Sequence, residues 1–165
     1  MKKIIFVCLF IFLIINIFSQ NSNASTQYKK HTPCTFSVSL PIQFKLINEY
    51  PGDNNPDICD YLVKTKSGLS LIKLSSLIMS RFEFITIKDF YKEAINKSDL
   101  NIVYKIQKAN WFVISGTKKN NGNIVYWKRV VSANFVSDLY IEYTQSQKKE
   151  IEPFLSKIST SFTSQ

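Results

Sequence analysis

The hydrophobic pattern of this chain changes period several times, and each change marks an element. Ser25 to Thr32 is polar and predicts a loose segment. From Thr35 to Leu40 the residues Phe36, Val38 and Leu40 fall on every second position, the signature of a strand with one apolar side, and Pro41 ends the run. Phe44 to Tyr50 is a second short strand candidate, and residues 51–57, Pro-Gly-Asp-Asn-Asn-Pro-Asp, are dense turn chemistry. Cys59 to Lys66 resumes an extended pattern, Ser67-Gly68 turns it, and Leu69 to Met79 predicts a longer strand.

The period then moves to that of a helix. Ile87, Phe90, Tyr91, Ala94 and Ile95 share one helical face, Thr86 is placed to cap it, and Asp89 stands three positions on, as in a capping box. Four strand-like runs follow: Asn101 to Lys108, Trp111 to Lys118, Asn123 to Ala133 and Val136 to Thr144. Asn121-Gly122 joins the middle two and signals a hairpin, since both residue types tolerate positive φ. A last helix spans about Gln147 to Phe162, with Ile151, Phe154, Leu155, Ile158 and Phe162 as its stripe. Pro153 suits only a first turn, which predicts that the regular helix starts later than its apolar pattern.

Alternation inside the strands gives the layering. Trp111, Val113, Ser115 and Thr117 share one face, and Phe112, Ile114 and Gly116 the other; Ile124, Tyr126 and Val130 oppose Val125, Trp127 and Val131. Large apolar groups on both sides argue against a sheet with one wet face. The fold class expected is α+β, an antiparallel sheet with helices packed on both faces.

The first residues place the protein. Met1-Lys2-Lys3 is a basic start, Ile4 to Ile15 is an unbroken apolar run, and Ser22-Asn23-Ala24 puts small residues before Ser25. That is the form of a secretory signal peptide, and the run is shorter than the roughly 20 residues that span a bilayer. The organisation expected is a signal peptide over 1–24, a flexible segment over 25–34 and one domain over 35–165, working in the periplasm or secreted, with no stable membrane insertion after cleavage. Cys8 leaves with the leader, so Cys34 and Cys59 remain, an even number in an oxidising compartment. A bridge between them closes a loop of about 25 residues and contributes roughly 3 kcal/mol.

Charge excludes rather than assigns. The formal net charge of the chain is +9, yet the basic residues are scattered as pairs such as Lys29-Lys30, Lys118-Lys119, Lys128-Arg129 and Lys148-Lys149. Nucleic-acid binders concentrate them in a stripe, so no nucleic-acid partner is expected. Candidate chemistry is sparse. His31 stands alone, and no nucleophile-elbow, zinc-protease or phosphate-loop motif occurs. Glu49, Asp53, Asp57 and Asp60 form the one acidic cluster, and its spacing departs from a calcium loop, so a solvated turn is the preferred reading. Glu142, flanked by apolar neighbours, is placed to pair with a lysine. Ser115-Gly116 reads as a strand position where a side chain would crowd a neighbour. Trp111, Tyr126, Trp127, Tyr140 and Tyr143 are of the type that lines ligand grooves, but sheet cores use the same residues, and packing is preferred. No catalytic set, metal site or cofactor is expected.

Several of these segments, taken in order, resemble the PsbP-like fold family. They are Phe36-Ser37-Val38-Ser39-Leu40-Pro41, then Trp111-Phe112-Val113-Ile114-Ser115-Gly116, then Ile124-Val125-Tyr126-Trp127-Lys128-Arg129-Val130-Val131, then Leu139-Tyr140-Ile141-Glu142-Tyr143, and the helix end Ile158-Ser159-Thr160-Ser161-Phe162. The family includes an extrinsic photosystem subunit, a Ran-binding import factor and bacterial DcrB-like envelope proteins. The resemblance implies an α-β-α sandwich and a protein that binds proteins or assists assemblies, with no catalytic residues to carry over. The function expected is therefore an exported, non-enzymatic protein that engages another envelope protein, of which a toxin immunity protein is one specific form. The alternative is a carrier of a small lipid or other apolar ligand, and a cavity of several hundred Å³ distinguishes it. Because loops carry recognition, the partner-binding candidates are Lys118, Lys119, Asn120 and Asn121 at the hairpin tip and Asp53 and Asp57 in the acidic turn.

Overall fold

The structure, a computed structural model, describes residues 26–48, 58–65, 72–82 and 85–165. The segment expected to be a signal peptide and the expected acidic turn, with Glu49, Asp53 and Asp57, lie outside the described residues. The fold is mixed α+β, with antiparallel sheets and two helices, and strands make up most of its regular structure.

A small three-stranded sheet has the order β1-β2-β10, with β1 at Tyr28–His31, β2 at Phe36–Pro41 and β10 at Thr163–Ser164. The N-terminal segment is thus not loose as its polarity predicts: Tyr28 to His31 pair in register with Pro41 to Val38. Backbone pairing to an apolar strand outweighs the polar side chains, which face outward at Lys29 and Lys30. The large sheet has seven antiparallel strands in the order β3-β4-β5-β9-β8-β7-β6. They are β3 (Lys45–Asn48), β4 (Ile58–Lys64), β5 (Ile72–Ile78), β6 (Leu100–Gln107), β7 (Trp111–Lys118), β8 (Ile124–Val131) and β9 (Phe135–Tyr143).

Helix α1, Ile87–Lys97, starts at the expected cap: Asp89 donates its main-chain N–H to the Thr86 hydroxyl, and the Asp89 carboxylate accepts the Thr86 N–H. Helix α2, Lys148–Ser161, follows a 3-10 turn at Gln145–Gln147 and runs straight through Pro153, so the helix does not begin late. Proline here removes one intrahelical hydrogen bond, while burial of Ile151 just before it and Ile158 after it holds both turns. The β7–β8 hairpin closes with Gly122 N–H on Lys118 O (2.9 Å) and Lys118 N–H on Asn123 O (2.8 Å). Gly122 alone in this turn takes positive φ, at 71°, so the loop is longer than the two-residue turn that Asn121-Gly122 suggests.

Two apolar clusters form the core. The first gathers Phe36, Val38 and Leu40 of β2, Leu74, Leu139 and Ile141 of the large sheet, and Ile151 and Ile158 of α2. The second gathers Phe90 and Ala94 of α1 with Phe112, Ile114 and Val136. One cluster is therefore covered largely by the small sheet together with α2, a departure from plain helix cover. The Cys34–Cys59 disulfide, with Cα atoms 6.3 Å apart, links the loop before β2 to β4 and so ties the two sheets. Hydroxyls reinforce the tie: Thr35 donates to Ser76 at 2.6 Å, Ser76 lies 3.0 Å from Ser137, and Ser137 donates to Ser164 at 3.0 Å. Gly116 has the role its sequence suggests, since a Cβ there would lie 2.3 Å from the Asn101 carbonyl oxygen of β6. Opposite it β6 carries a bulge between Ile102 and Tyr104.

Candidate functional site

Strand register builds a groove that neither sheet nor helix fills. Tyr104 pairs with Ser115, which pairs with Tyr126; Ile106 pairs with Val113, which pairs with Lys128. Paired residues lie on the same side of a sheet, so these rows form one wall, completed by Trp111. Helix α2 forms the other wall through Glu152, Leu155, Ser156, Ser159 and Thr160. The groove is open to solvent and encloses about 730 Å³. Its rim is the edge strand β6, where Tyr104 is 52% exposed.

At the base lies Lys128, only 9% exposed. Its Nζ donates to the main-chain carbonyls of Ser159 (2.7 Å) and Phe162 (3.0 Å) and sits 5.7 Å from the centre of the Trp111 ring. Burial pushes this ammonium below the ordinary lysine value. Beside it the Tyr126 hydroxyl meets the Ser159 hydroxyl at 2.5 Å, and burial raises the phenol despite that bond. Glu152, at the other end of the groove, accepts the Tyr143 hydroxyl at 3.3 Å and lies 3.6 Å from Lys148 Nζ. Burial, with the Glu152 charge, pushes Tyr143 up to about 12.

The residues singled out from sequence fall elsewhere. Lys118 is not a free cation: its Nζ is 2.9 Å from Glu142, with both side chains about four-fifths buried (21% and 16% exposed). Asn123 also donates to Glu142, at 2.8 Å. Burial alone would raise the Glu142 carboxyl, but the Lys118 and Asn123 hydrogen bonds and the lysine's charge outweigh it and hold the group low. Lys119, Asn120 and Asn121 are all exposed, and the Asn121 side chain accepts the Asn123 main-chain N–H at 3.0 Å. None of these four lines the groove. Asp60 of the acidic cluster is on β4. Among the described residues no group of three or more His, Cys, Asp or Glu side chains is placed to hold a metal. No helix among them is long and apolar enough to cross a membrane.

Of the five aromatics weighed from sequence, Trp111 and Tyr126 line the groove, while Trp127 packs on Phe112 and Tyr140. The sequence reading groups Lys128 with the scattered basic pairs, although the alternation that joins Tyr126 to Val130 places it between them on the same face. A lysine on the apolar phase of a strand was the available signal.

No family model and no curated protein matches the chain. Solved structures do. Cyanobacterial PsbP (CyanoP) from Synechocystis sp. superposes with a TM-score of 0.50 at 11% identity, over 88% of this chain and 96% of that one. LpqN, described as involved in cell envelope biogenesis of Mycobacterium tuberculosis, gives a TM-score of 0.47 at 16% identity, over 83% of this chain and 90% of that one. The chain has the PsbP-like fold that its strand motifs imply.

Proposed function

We propose that this chain is an exported, non-enzymatic binding protein, and that it holds a segment of another envelope protein in the groove between β6–β8 and α2. The reading takes residues 1–24 as a cleaved leader and 35–165 as the working domain, with α1 and α2 on opposite faces of the large sheet. The observation that supports it is the groove itself, aromatic on one wall and rimmed by the exposed Tyr104. Aromatic residues at a partly desolvated surface are the usual anchors of protein recognition. A toxin is one partner of this kind, which would make the chain an immunity protein.

The carrier reading also has an observation in its favour, since about 730 Å³ lies within the size range of small-ligand sites. The groove is open, however, and its helical wall offers Glu152, Ser156, Ser159 and Thr160. Hydrocarbon laid against that wall would strip water from the half-exposed Glu152 carboxylate without replacing it. Peptide amides replace it.

Site-specific photo-crosslinking in the producing cell tests the proposal. A photoreactive residue at Tyr104 or Ser156 is expected to capture one protein partner, and the same probe at Lys92 of α1 is expected to capture none. Adducts formed only from Lys119 would move the site to the hairpin tip. A stoichiometric lipid extracted from the purified protein would replace the reading with the carrier.

A further inference from the structure

The groove contains a cation to which no described residue brings a carboxylate. Among the described residues no ion pair reaches Lys128 Nζ. Two of its three N–H groups are taken by the carbonyls of Ser159 and Phe162 at the C-terminal end of α2. That contact has a local purpose, because cations favour helix C-termini. It does not balance a full charge, however, for carbonyls carry only partial charges, and a buried charge is costly unless paired. The Ser159 carbonyl already accepts the Phe162 N–H at 3.3 Å, so the helix end is closed in part without the lysine. Next in sequence, Arg129 points to the opposite face and has its carboxylate, Asp138, at 2.6 Å. The fold thus pairs one of two adjacent cations and leaves the other at the base of an open groove.

We infer that Lys128 is the anion-recognising group of the groove, and that the partner segment inserts an acidic residue flanked by aromatic or aliphatic side chains. This rests on the reading of the groove given above. The incoming carboxylate takes the third N–H of Lys128 in a charge-assisted hydrogen bond, strengthened by exclusion of water. Its apolar neighbours pack on Trp111, Tyr104 and Leu155. The same lysine rejects a basic segment, which would leave two buried like charges together. The formal net charge, +9 for the full chain and two less once Lys2 and Lys3 leave with the leader, favours the approach of an acidic partner. A fatty acid also carries a carboxylate, but its chain would run toward the half-exposed Glu152 carboxylate of the α2 wall, whereas peptide N–H groups hydrogen-bond to it.

The test pans the purified protein against random displayed octapeptides and remakes those recovered as fluorescent peptides. They are expected to share Asp or Glu beside Phe, Tyr, Trp, Leu or Ile, and to shift the indole N–H resonance of Trp111 while leaving that of Trp127. Changing the acid to its amide should weaken binding at least about tenfold in the natural protein and in Lys128→Arg, and by less than about twofold in Lys128→Met. The acid–amide pair on the natural protein and the Trp111 signal stand even where Lys128→Met does not fold. Peptides that move Trp111 with no acidic preference overturn the role of Lys128 and leave the groove reading in place. The same holds for an acid preference that survives in folded Lys128→Met. Peptides that leave Trp111 unmoved, or recovery of none, overturn both. Phosphatidylglycerol vesicles that move Trp111 where peptides do not also overturn both, in favour of a lipid.

Discussion

Lys128 and Arg129 are neighbours on β8, and the two faces of the sheet treat them oppositely. Arg129 donates through Nε and Nη2 to both oxygens of Asp138, at 2.8 and 2.6 Å. The Trp127 indole N–H donates to the same carboxylate at 2.8 Å, and the guanidinium lies 4.9 Å from the Phe90 ring centre and 5.1 Å from that of Trp127. That cation has its carboxylate supplied by the chain, and Phe90 of α1 packs against it beside a smaller open pocket of about 350 Å³. Lys128 has two carbonyls, one aromatic ring and an open groove. A cation kept for stability is thus recognisable here by its carboxylate, and the one without is the candidate for recognition.

The largest effect should come from breaking the satisfied face. Asp138→Ala leaves Arg129 mostly buried with its anion gone, and should cost about 3 kcal/mol in urea-unfolding stability. Gly116→Ala comes next, at about 2 kcal/mol, because the added methyl meets backbone that cannot swing aside. Hydrogen exchange should then quicken in β6, while the amides of α1 stay protected. Equal quickening in α1 would mean that the two faces do not respond separately. Lys128→Met follows at about 1 kcal/mol, since it leaves two buried carbonyls without the ammonium but also removes a buried charge that has no carboxylate. A loss as large as that of Asp138→Ala would make Lys128 a structural cation like its neighbour and dissolve the contrast between them.

The period-two pattern made the layering legible. The split of Trp111 and Val113 from Phe112 and Ile114 is the split between groove wall and α1 core. The Thr86–Asp89 cap, the need for glycine at position 116 and a lysine partner for Glu142 were equally readable, since each depends on a few residues of fixed geometry. What stayed hidden depends on pairing at long range. Tyr28 to His31 have no strand pattern of their own and become one by bonding to β2. The groove arises because the small sheet and α2 stop short of β6, which no local pattern records. Lys118 looked free because its partner, Glu142, is on β9, distant in sequence.

The hairpin gives the smallest effects and separates two adjacent lysines that look alike in sequence. Lys118→Glu places a carboxylate against Glu142 in a mostly buried spot and should cost about 1 kcal/mol at neutral pH, whereas Lys119→Glu, fully exposed, should stay within about 0.5 kcal/mol. Acidity sets the sign of the check. Glu142 titrates below its ordinary value of 4.5 in the folded state, so it contributes stability that is complete above that value and lost as pH falls through the folded one. Lys118 is raised above 10.5, chiefly by its hydrogen bond to Glu142, so its share persists at neutral pH and goes only in strong base. The gap between the natural protein and Lys118→Glu should therefore be widest near pH 7 and narrow toward pH 3, as protonation removes both the ion pair and the repulsion that replaces it. Urea midpoints at the two pH values measure this. A gap that does not change with pH would mean that the cost lies in packing of the lysine stem rather than in charge. In either case the acidic peptides of the groove should bind both hairpin variants as they bind the natural protein, because neither lysine touches the groove.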